Sequence, residues 1–171
     1  MSETDEQFTA YVVARRDQLR RTAYLLCGNH ATAEDLVQTT LTKLYLAWPR
    51  VSRMAGPDAY ARRVLVTSHI DLVRRPWWSR ERSAGDDLPE PEAADGFTFE
   101  DRDELLAALG QLAPSMRRVL VLRHLWGASI AETADVLGVS AGTVKSQTAK
   151  AIARLEQLLA ATPTEHEGIT R

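Results

Sequence analysis

The sequence is poor in cysteine and in long apolar runs. Cys27 is its one cysteine, so it has no intrachain disulfide and its cysteine content does not indicate an oxidising compartment. The longest unbroken aliphatic stretch is Val119–Leu122, whereas a membrane-spanning helix needs roughly 20 apolar residues. Residues 1–6 carry acids where a signal peptide carries basic residues. We therefore expect a cytoplasmic protein that makes no membrane contact.

Strand patterns are also missing. No segment sustains the polar–apolar alternation of a half-buried strand, whereas apolar residues recur with helical spacing nearly everywhere outside the middle of the chain. The composition, 44% hydrophobic and 26% charged, is typical of a globular protein rather than a disordered one. The sequence therefore predicts an all-α fold.

The sequence also lacks the residue combinations of an enzyme. It has no glycine-rich phosphate loop. Cys27 and His30 are spaced like part of a zinc site, but zinc takes about four ligands and no second Cys or nearby His completes the set. Cys27 lies on the apolar face of its predicted helix, which favours a buried thiol. We expect no catalytic residue, no metal and no cofactor, and keep an enzyme built on these two residues as the least favoured alternative.

Charge is unevenly distributed, although the net charge is only −2. Residues 8–83 contain thirteen Arg or Lys against six Asp or Glu, and residues 105–160 contain six against three. Between them, residues 84–104 contain nine acids and a single base, Arg102. Two basic blocks are thus separated by an acidic one, and this placement carries information that the net charge alone conceals.

Helix signals divide the chain into two domains. A first helix ends at Gly28, a second stops at Pro49, and a third runs from Pro57 until Pro76 interrupts it. These three helices predict a small domain over residues 8–78.

A flexible acidic linker is predicted over residues 79–100, which are rich in turn formers and acids and have little to bury. Helical periodicity then resumes and predicts a second domain over residues 101–160.

The most specific local pattern is a helix-turn-helix over residues 129–151. Ser129 and Glu132 form a capping box, Gly138 ends the first short helix, and Ser140 caps the second. Near the exposed start of the second helix lie side chains that can reach base edges and phosphates: Thr143, Lys145, Ser146, Gln147 and Lys150. The alternative is a plain helical hairpin with a polar outer face.

Arginines alternate with aromatics between Tyr60 and Trp78, a composition suited to single-stranded nucleic acid. Guanidinium groups bind phosphates, and an aromatic ring can stack on a base. Taken alone, this pattern also fits a solvated charged helix face with a tryptophan pair covering the end of the domain.

The order of these parts resembles the extracytoplasmic-function branch of the bacterial sigma-70 family, over roughly residues 8–160. The resemblance implies a dissociable transcription initiation subunit that binds core RNA polymerase and directs it to promoters by recognising and melting promoter DNA. It implies a first domain that acts at the minus-ten element and a second that acts at the minus-thirty-five element. It also implies an anti-sigma partner, and we expect a monomer when the protein is free.

The resemblance assigns roles to individual residues. Ala33–Trp48 is similar to the helix that binds core polymerase, which implies that role for Asp35, Leu36, Val37, Gln38, Leu41 and Leu44. Asp58–Arg75 is similar to the helix that melts and reads the minus-ten strand, which implies contacts from Tyr60, Arg62, Arg63, Thr67, Asp71, Arg74 and Arg75. Residues 112–155 are similar to the domain that binds the minus-thirty-five element, which implies contacts from Arg123, Ser140, Thr143, Lys145, Ser146, Gln147 and Lys150.

Two positions depart from the family pattern. Many members have Asn in place of Thr67 and Arg in place of Gln147, so the base preference at each does not transfer. The acidic linker, which in the family threads toward the RNA exit path, is equally well predicted as a solvated tether.

A free-standing helix-turn-helix regulator, whose first domain senses a partner or ligand, is the alternative function. It predicts tight sequence-specific DNA binding by the protein alone. It also predicts that substitutions at Asp35, Leu36 and Gln38 have no effect on function.

Overall fold

Helices make up nearly all of the chain that the structure describes. The structure is a computed structural model, and it describes residues 2–75 and 99–161. The predicted tryptophan pair, nearly all of the predicted acidic linker, and residues 162–171 lie outside the described residues. The described helices are α1 (Glu3–Cys27), α2 (His30–Val51), α3 (Pro57–Val73), α4 (Phe99–Gln111), α5 (Pro114–Leu120), α6 (Ile130–Leu137) and α7 (Ala141–Ala161).

The predicted all-α class is confirmed, since residues 2–75 and 99–161 contain no strand. We call α1–α3 the N-terminal domain and α4–α7 the C-terminal domain. Within the same two ranges, no helix combines the length and the apolar character that crossing a membrane requires.

The ends of α1 follow from its sequence. The Asp5 N–H donates to Ser2 Oγ over 3.2 Å and the Ser2 N–H donates to Asp5 Oδ2 over 3.0 Å, so a capping box begins the helix well before Phe8. Gly28 ends it with a φ of 78°, a left-handed conformation that favours glycine. The Asn29 side chain then accepts from the Thr32 N–H over 2.8 Å and begins α2.

The prediction that α2 stops at Pro49 is wrong. Pro49 lies inside the helix, which continues to Val51. Proline removes one backbone hydrogen bond, but only in the final turn of the helix. That turn also buries Trp48 and Val51 completely or nearly so, and this apolar burial offsets the lost bond.

Three apolar clusters stabilise the fold. One is confined to the N-terminal domain and centres on Leu44, Trp48 and Val51. A second is confined to the C-terminal domain and centres on Leu112 and Leu120. The largest cluster joins the two domains and contains Leu19, Ala23, Leu26, Cys27, Ala33, Leu36, Val37, Leu65, Val66, Val121 and Leu122. The two domains therefore share a core rather than standing apart.

The helix-turn-helix has the predicted local structure. The Glu132 N–H donates to Ser129 Oγ over 3.0 Å and the Ser129 N–H donates to the Glu132 carboxylate over 2.6 Å, which is the predicted capping box. Gly138 ends α6 with a φ of 66°. The Thr143 N–H donates to Ser140 Oγ over 3.1 Å at the start of α7.

The entry to the helix-turn-helix was not predicted. The last turn of the helix that begins as α5, Val121–Leu125, is a π-helix. Gly127 follows it with a φ of 62°, a left-handed conformation that favours glycine.

Candidate nucleic-acid and partner interfaces

Half of the residues predicted to bind a partner on α2 lie in the protein interior. Leu36, Val37 and Leu44 are 3%, 0% and 0% exposed and belong to the apolar clusters. They have no surface to offer a docking protein, because the same helical spacing that makes them a set turns them toward α1 and α3. The structure therefore corrects their predicted contact role to one of packing.

The outer face of α2 carries the remaining candidates. Asp35 and Gln38 are exposed and Leu41 is half-buried. Spacings of three and four residues continue the exposed face through Thr42 to Leu46, whose side chain is 77% exposed. We call Asp35, Gln38, Thr39, Thr42 and Leu46 the α2 stripe. Leu46 was not among the predicted residues, although its helical spacing from Asp35 and Thr42 places it on the same face of α2.

A groove of mixed character lies beside Leu46. Its walls are Lys43, Ala47, Pro49 and Arg50, so a large exposed apolar side chain is flanked by two cations. Large exposed apolar groups with a polar rim are typical of protein interaction sites. This is the most apolar part of the α2 stripe.

The predicted minus-ten residues divide into two groups on α3. Arg63, Thr67, Asp71 and Arg74 recur at helical spacing and lie at the surface or partly buried, with Arg75 exposed just beyond the helix end. The Thr67 hydroxyl donates to the Arg63 carbonyl over 2.9 Å, so it is held against its own helix. The structure therefore brings these five residues together along one side of α3.

Asp71 faces α2. The Lys43 ammonium donates to Ser68 Oγ over 2.9 Å and lies 4.0 Å from an Asp71 carboxylate oxygen. The exposed edge between α2 and α3 thus contains a cation and an anion close together. Asp71 is positioned to hold Lys43.

Tyr60 and Arg62 point elsewhere. Tyr60 packs on the cluster of Leu44 and Trp48, with the Arg50 guanidinium carbon 5.9 Å from its ring centroid. The Arg62 guanidinium carbon lies 5.9 Å from the Trp126 ring centroid, and Nη1 donates to the Trp126 carbonyl over 3.5 Å. The structure does not group these two residues with the exposed side of α3.

The start of α7 presents a basic polar surface. Lys145, Ser146 and Lys150 are exposed and Gln147 is partly buried. In residues 2–75 and 99–161, no ion pair involves either lysine. Val144 is fully buried, so it anchors the helix while its polar neighbours face outward. We call Lys145, Ser146, Gln147 and Lys150 the α7 surface.

Three predicted minus-thirty-five residues are used inside the domain. Ser140 and Thr143 cap α7, and their hydroxyl oxygens lie 2.9 Å apart. The partly buried Arg123 guanidinium donates to the Ala128 carbonyl, which holds the turn before α6. In this structure Ser140 and Thr143 therefore fix the start of α7, and Arg123 fixes the turn before α6.

Cys27 and His30 lie in different environments. Burial raises the pKa of the Cys27 thiol to about 12, and its neighbour in sequence His30 is exposed and stacked on Tyr24, with ring centroids 4.3 Å apart. Among the residues that the structure describes, no group of three or more His, Cys, Asp or Glu could hold a metal ion. Cys27 is a core thiol, as its place on the apolar face predicts.

Comparison with family models identifies both domains. Residues 11–79 match the model described as sigma-70 region 2. Residues 102–155 match the model described as sigma-70 region 4. The first match includes α2 and α3, and the second includes the helix-turn-helix.

Relatives of known name cover nearly the whole chain. The chain is 38% identical to the RNA polymerase sigma-E factor of Streptomyces coelicolor over 169 residues, which is 96% of this chain and 93% of that protein. It is 34% identical to the ECF RNA polymerase sigma factor SigC of Mycobacterium tuberculosis over 145 residues, 80% of this chain and 74% of that protein.

A solved structure shares the arrangement of both domains. The sigma factor RpoE of Bartonella quintana, crystallised with the anti-sigma factor NepR, aligns with a TM-score of 0.72 and 26% identity, covering 92% of this chain and 99% of that one. Three findings point to the same family: two matched regions in the expected order, relatives that cover nearly the whole chain, and a shared fold. The chain belongs to the extracytoplasmic-function branch of the sigma-70 family, the sigma factors of bacterial RNA polymerase.

Proposed function

We propose that three surfaces of this sigma factor divide its work: the α2 stripe binds core RNA polymerase, the exposed side of α3 engages the minus-ten element, and the α7 surface engages the minus-thirty-five element. The division into functional units over residues 8–78, 79–100 and 101–160 belongs to the same proposal. The protein acts in the cytoplasm, by binding rather than by catalysis, and is a monomer when free.

The α7 surface carries the proposal furthest. Its two lysines are exposed and engage no acid in the described part of the chain, so their charge is available to phosphates. Ser146 and Gln147 lie between them and can donate to and accept from base edges in a major groove. A second helix of a helix-turn-helix presents such residues at its N-terminal end.

The α2 stripe supports the polymerase contact. Asp35 and Gln38 offer polar contacts at one end, and Leu46 offers a large apolar contact at the other. An apolar anchor surrounded by polar groups is the usual composition of a protein interface. Leu46 therefore replaces the three buried residues as the apolar part of this contact.

The exposed side of α3 supports the minus-ten contact. Arg74 and Arg75 supply two exposed cations at the end of the helix, and Arg63 supplies a third that is paired with Asp135 in this structure. A positively charged track of this kind follows a single-stranded backbone.

An anti-sigma protein is also proposed as a partner. The support is the Bartonella sigma factor, which shares the arrangement of this chain and was crystallised with its anti-sigma factor. The exposed Leu46 and the groove beside it are a surface on which such a protein and core polymerase would compete.

The test is run-off transcription from pooled genomic fragments of the source organism with core RNA polymerase. We expect discrete transcripts with this protein, none without it, and at least tenfold less with Asp35→Asn combined with Leu46→Ala. Asp17→Asn is the matched control, because Asp17 is another exposed acid of the N-terminal domain outside the α2 stripe.

Two results would contradict the proposal. Full transcription by the Asp35→Asn, Leu46→Ala variant would exclude the α2 stripe as the polymerase contact. An absence of transcripts, together with tight binding to defined DNA sites by the protein alone, would favour the free-standing regulator.

A further inference from the structure

We infer that Tyr11, Arg15 and Asp58 form a clamp between α1 and the start of α3, and that Tyr11 and Arg15 are positioning residues for the minus-ten contact. We call these three residues the α3 clamp. The inference rests on the proposed function for the role of α3. It goes further because it gives a part in minus-ten recognition to two residues that belong to another helix.

The start of α3 lacks a side-chain cap. Four of the described helices begin with a side chain that accepts from a backbone N–H of the first turn: Ser2, Asn29, Ser129 and Ser140. In contrast, α3 begins at Pro57 after Gly56, and no side chain caps its first turn. A helix start that is not fixed by its own sequence depends on contacts with other elements for its position.

The Asp58 carboxylate supplies that contact from the first turn of α3. The Tyr11 hydroxyl donates to Asp58 Oδ1 over 2.9 Å. Arg15 Nε donates to the same oxygen over 3.1 Å, and Arg15 Nη2 lies 3.0 Å from Oδ2. The guanidinium thus meets the carboxylate with two nitrogens, a more directional geometry than a single contact. An acid in the first turn is also favoured by the helix dipole.

The Tyr11 side chain is itself held by the core of the N-terminal domain. Its ring packs against Trp48, with ring centroids 5.0 Å apart, in the cluster that centres on Leu44, Trp48 and Val51. Burial raises the pKa of Tyr11 and the Asp58 carboxylate acts in the same direction, so the hydroxyl keeps its proton and remains a donor. The clamp therefore joins the first turn of α3 to a buried part of α1 and α2.

The clamp lies on a different side of α3 from the minus-ten residues. Arg63 follows Asp58 by five positions, which is a rotation of about 140° around the helix axis. Further along α3, the Lys43 ammonium of α2 donates to Ser68 Oγ over 2.9 Å. Polar contacts thus hold α3 to α1 at its start and to α2 in its second half. Together with the apolar packing they fix the rotation of α3, which sets the direction of Arg63.

The exposure of the clamp limits how much it contributes to stability. The Arg15 and Asp58 side chains are 46% and 34% exposed, and ion pairs of that exposure add little to the free energy of folding. Loss of a contact also cannot shift an orientation by more than the free energy of that contact. We therefore expect a loss of minus-ten recognition of about two- to fivefold, with the midpoint of thermal unfolding moved by less than about 4 °C.

The experiment compares Asp58→Asn with Glu34→Gln, each bound to core RNA polymerase. Both variants remove a carboxylate charge that receives two hydrogen bonds from α1. Glu34 accepts from Arg16 over 3.1 Å and from Arg20 over 3.0 Å and has a similar exposure, but it lies on α2.

Two measurements are made on each complex. Fluorescence anisotropy gives the affinity for a labelled single strand that carries the minus-ten sequence of a promoter recovered by run-off transcription, and for a scrambled strand of the same composition. The ratio of these two affinities measures recognition, and a change in overall stability alone does not move it. Hydrogen exchange reports the protection of the amides in the first turn of α3.

We expect Asp58→Asn to lower the affinity ratio by about two- to fivefold and to speed exchange in the first turn of α3, whereas Glu34→Gln should change neither. Adding Arg15→Ala to Asp58→Asn should cause no further loss, because the two side chains form one contact.

Tyr11→Phe tests the clamp without changing a charge. It removes the hydroxyl and keeps the ring on Trp48, so we expect the affinity ratio to fall by about twofold. Tyr45→Phe is the matched control, because the Tyr45 hydroxyl donates to Asp5 over 2.8 Å and this bond joins α1 to α2.

Three results would overturn the clamp. The first is an equal affinity ratio for Asp58→Asn and Glu34→Gln. The second is a loss from Arg15→Ala that adds to the loss from Asp58→Asn, because Arg15 would then contact the strand itself. The third is a fall of more than about 10 °C in the midpoint of thermal unfolding with an equal loss of both affinities, because the role of Asp58 would then be structural only.

Failure of the proposed function gives a different result. Arg74→Ala with Arg75→Ala removes two exposed cations from the end of α3 and leaves the clamp intact. If this variant keeps full affinity for the minus-ten strand while Asp58→Asn still speeds exchange at the start of α3, the clamp holds α3 but α3 does not make the minus-ten contact.

Discussion

The two basic surfaces of this sigma factor are alike in composition and unlike in availability. Lys145 and Lys150 on α7 are exposed and engage no acid in the described residues, whereas Arg62 and Arg63 on α3 are engaged by Trp126 and Asp135 of the other domain. The difference shows that a basic block in a sequence locates charge without saying whether that charge is free.

The largest expected effect is a loss of stability, and it compares the apolar cluster that joins the domains with the cluster of the C-terminal domain. Leu122→Ala and Leu112→Ala each remove a side chain that is at most 2% exposed, and each should lower the free energy of unfolding by about 2–5 kcal/mol. Leu122 belongs to the cluster that joins the domains and Leu112 to the cluster of the C-terminal domain alone. Denaturant titration with fluorescence of the four tryptophans should therefore show Leu122→Ala loosening both domains.

Hydrogen exchange gives the control for that comparison. Leu112→Ala should leave the protection of α1 and α3 amides unchanged, because its cluster contains no residue of those helices. Equal loss of protection in both domains from both variants would contradict the division of the core into shared and separate clusters.

The next effect concerns duplex DNA binding by the free protein. Lys145→Ala with Lys150→Ala should weaken it by about 10- to 100-fold and lower the slope of log affinity against log salt by about two, since each lost phosphate contact removes roughly 0.9 of slope. Anisotropy at several salt concentrations measures both quantities.

The double variant Arg62→Ala, Arg63→Ala is compared with the lysine double variant in the same binding experiment. It removes the same number of cations, but from a surface that the C-terminal domain already occupies. We expect a loss of duplex affinity of less than about threefold. An equal loss from the two double variants would show that the two basic surfaces are equally available.

A smaller effect depends on pH and on His69, which is fully buried in the N-terminal domain. Burial lowers the pKa of His69 to about 3, with the nearby Arg118 and Arg117 of the C-terminal domain acting in the same direction and a backbone hydrogen bond at Leu26 opposing them. Between about pH 3 and pH 6.5, the unfolded state therefore binds a proton at this histidine that the folded state does not bind. Stability is fully present above the ordinary value of 6.5 and falls as pH decreases toward 3.

The measurement is the free energy of unfolding at two pH values. Lowering the pH from about 7.5 to about 5.5 should reduce the free energy of unfolding by about 1.4 kcal/mol because of His69. This value follows from roughly 1.36 kcal/mol per pH unit below the ordinary pKa. His69→Gln should remove this dependence, whereas His124→Gln, at an exposed histidine, should retain it. Parallel pH curves for wild type and His69→Gln would exclude His69 as the source.

The smallest effect compares helix caps in the two domains. Ser129→Ala removes the capping box of α6 and should lower stability by about 1 kcal/mol. Ser2→Ala removes the same motif from α1, but the first turn of α1 buries no residue, whereas α6 buries Thr133 in its first turn, so the cost of Ser2→Ala should be smaller. Thermal unfolding followed by circular dichroism ranks the two, and a larger loss from Ser2→Ala would contradict the ranking.

The sequence predicted which helices carry the candidate site residues more accurately than it predicted which face of each helix is exposed. The capping box at Ser129, the glycine end at Gly138 and the cap at Ser140 are local hydrogen-bond patterns, and the structure confirms each. On α2, the leucines and valine were assigned to a partner although helical spacing places them opposite Asp35 and Gln38. A helical-face test alone would have found Leu46.

The contact between the domains could not be predicted in the same way. Arg63 and Asp135 are 72 residues apart, and no local pattern pairs them. The wrong prediction at Pro49 has a similar reason. The hydrogen bond that proline removes from α2 is a local effect, but the burial of Trp48 and Val51 that offsets it depends on the rest of the domain.

The helical class, the two basic blocks and the local geometry of the helix-turn-helix follow from the amino-acid sequence alone, because periodicity, capping and charge act within a few residues of each other. Which polar side chains are free depends instead on how the two domains pack. Burial and ion pairing depend on what packs against a surface, and Arg62 and Arg63 are held by residues that the chain brings back from far along its length.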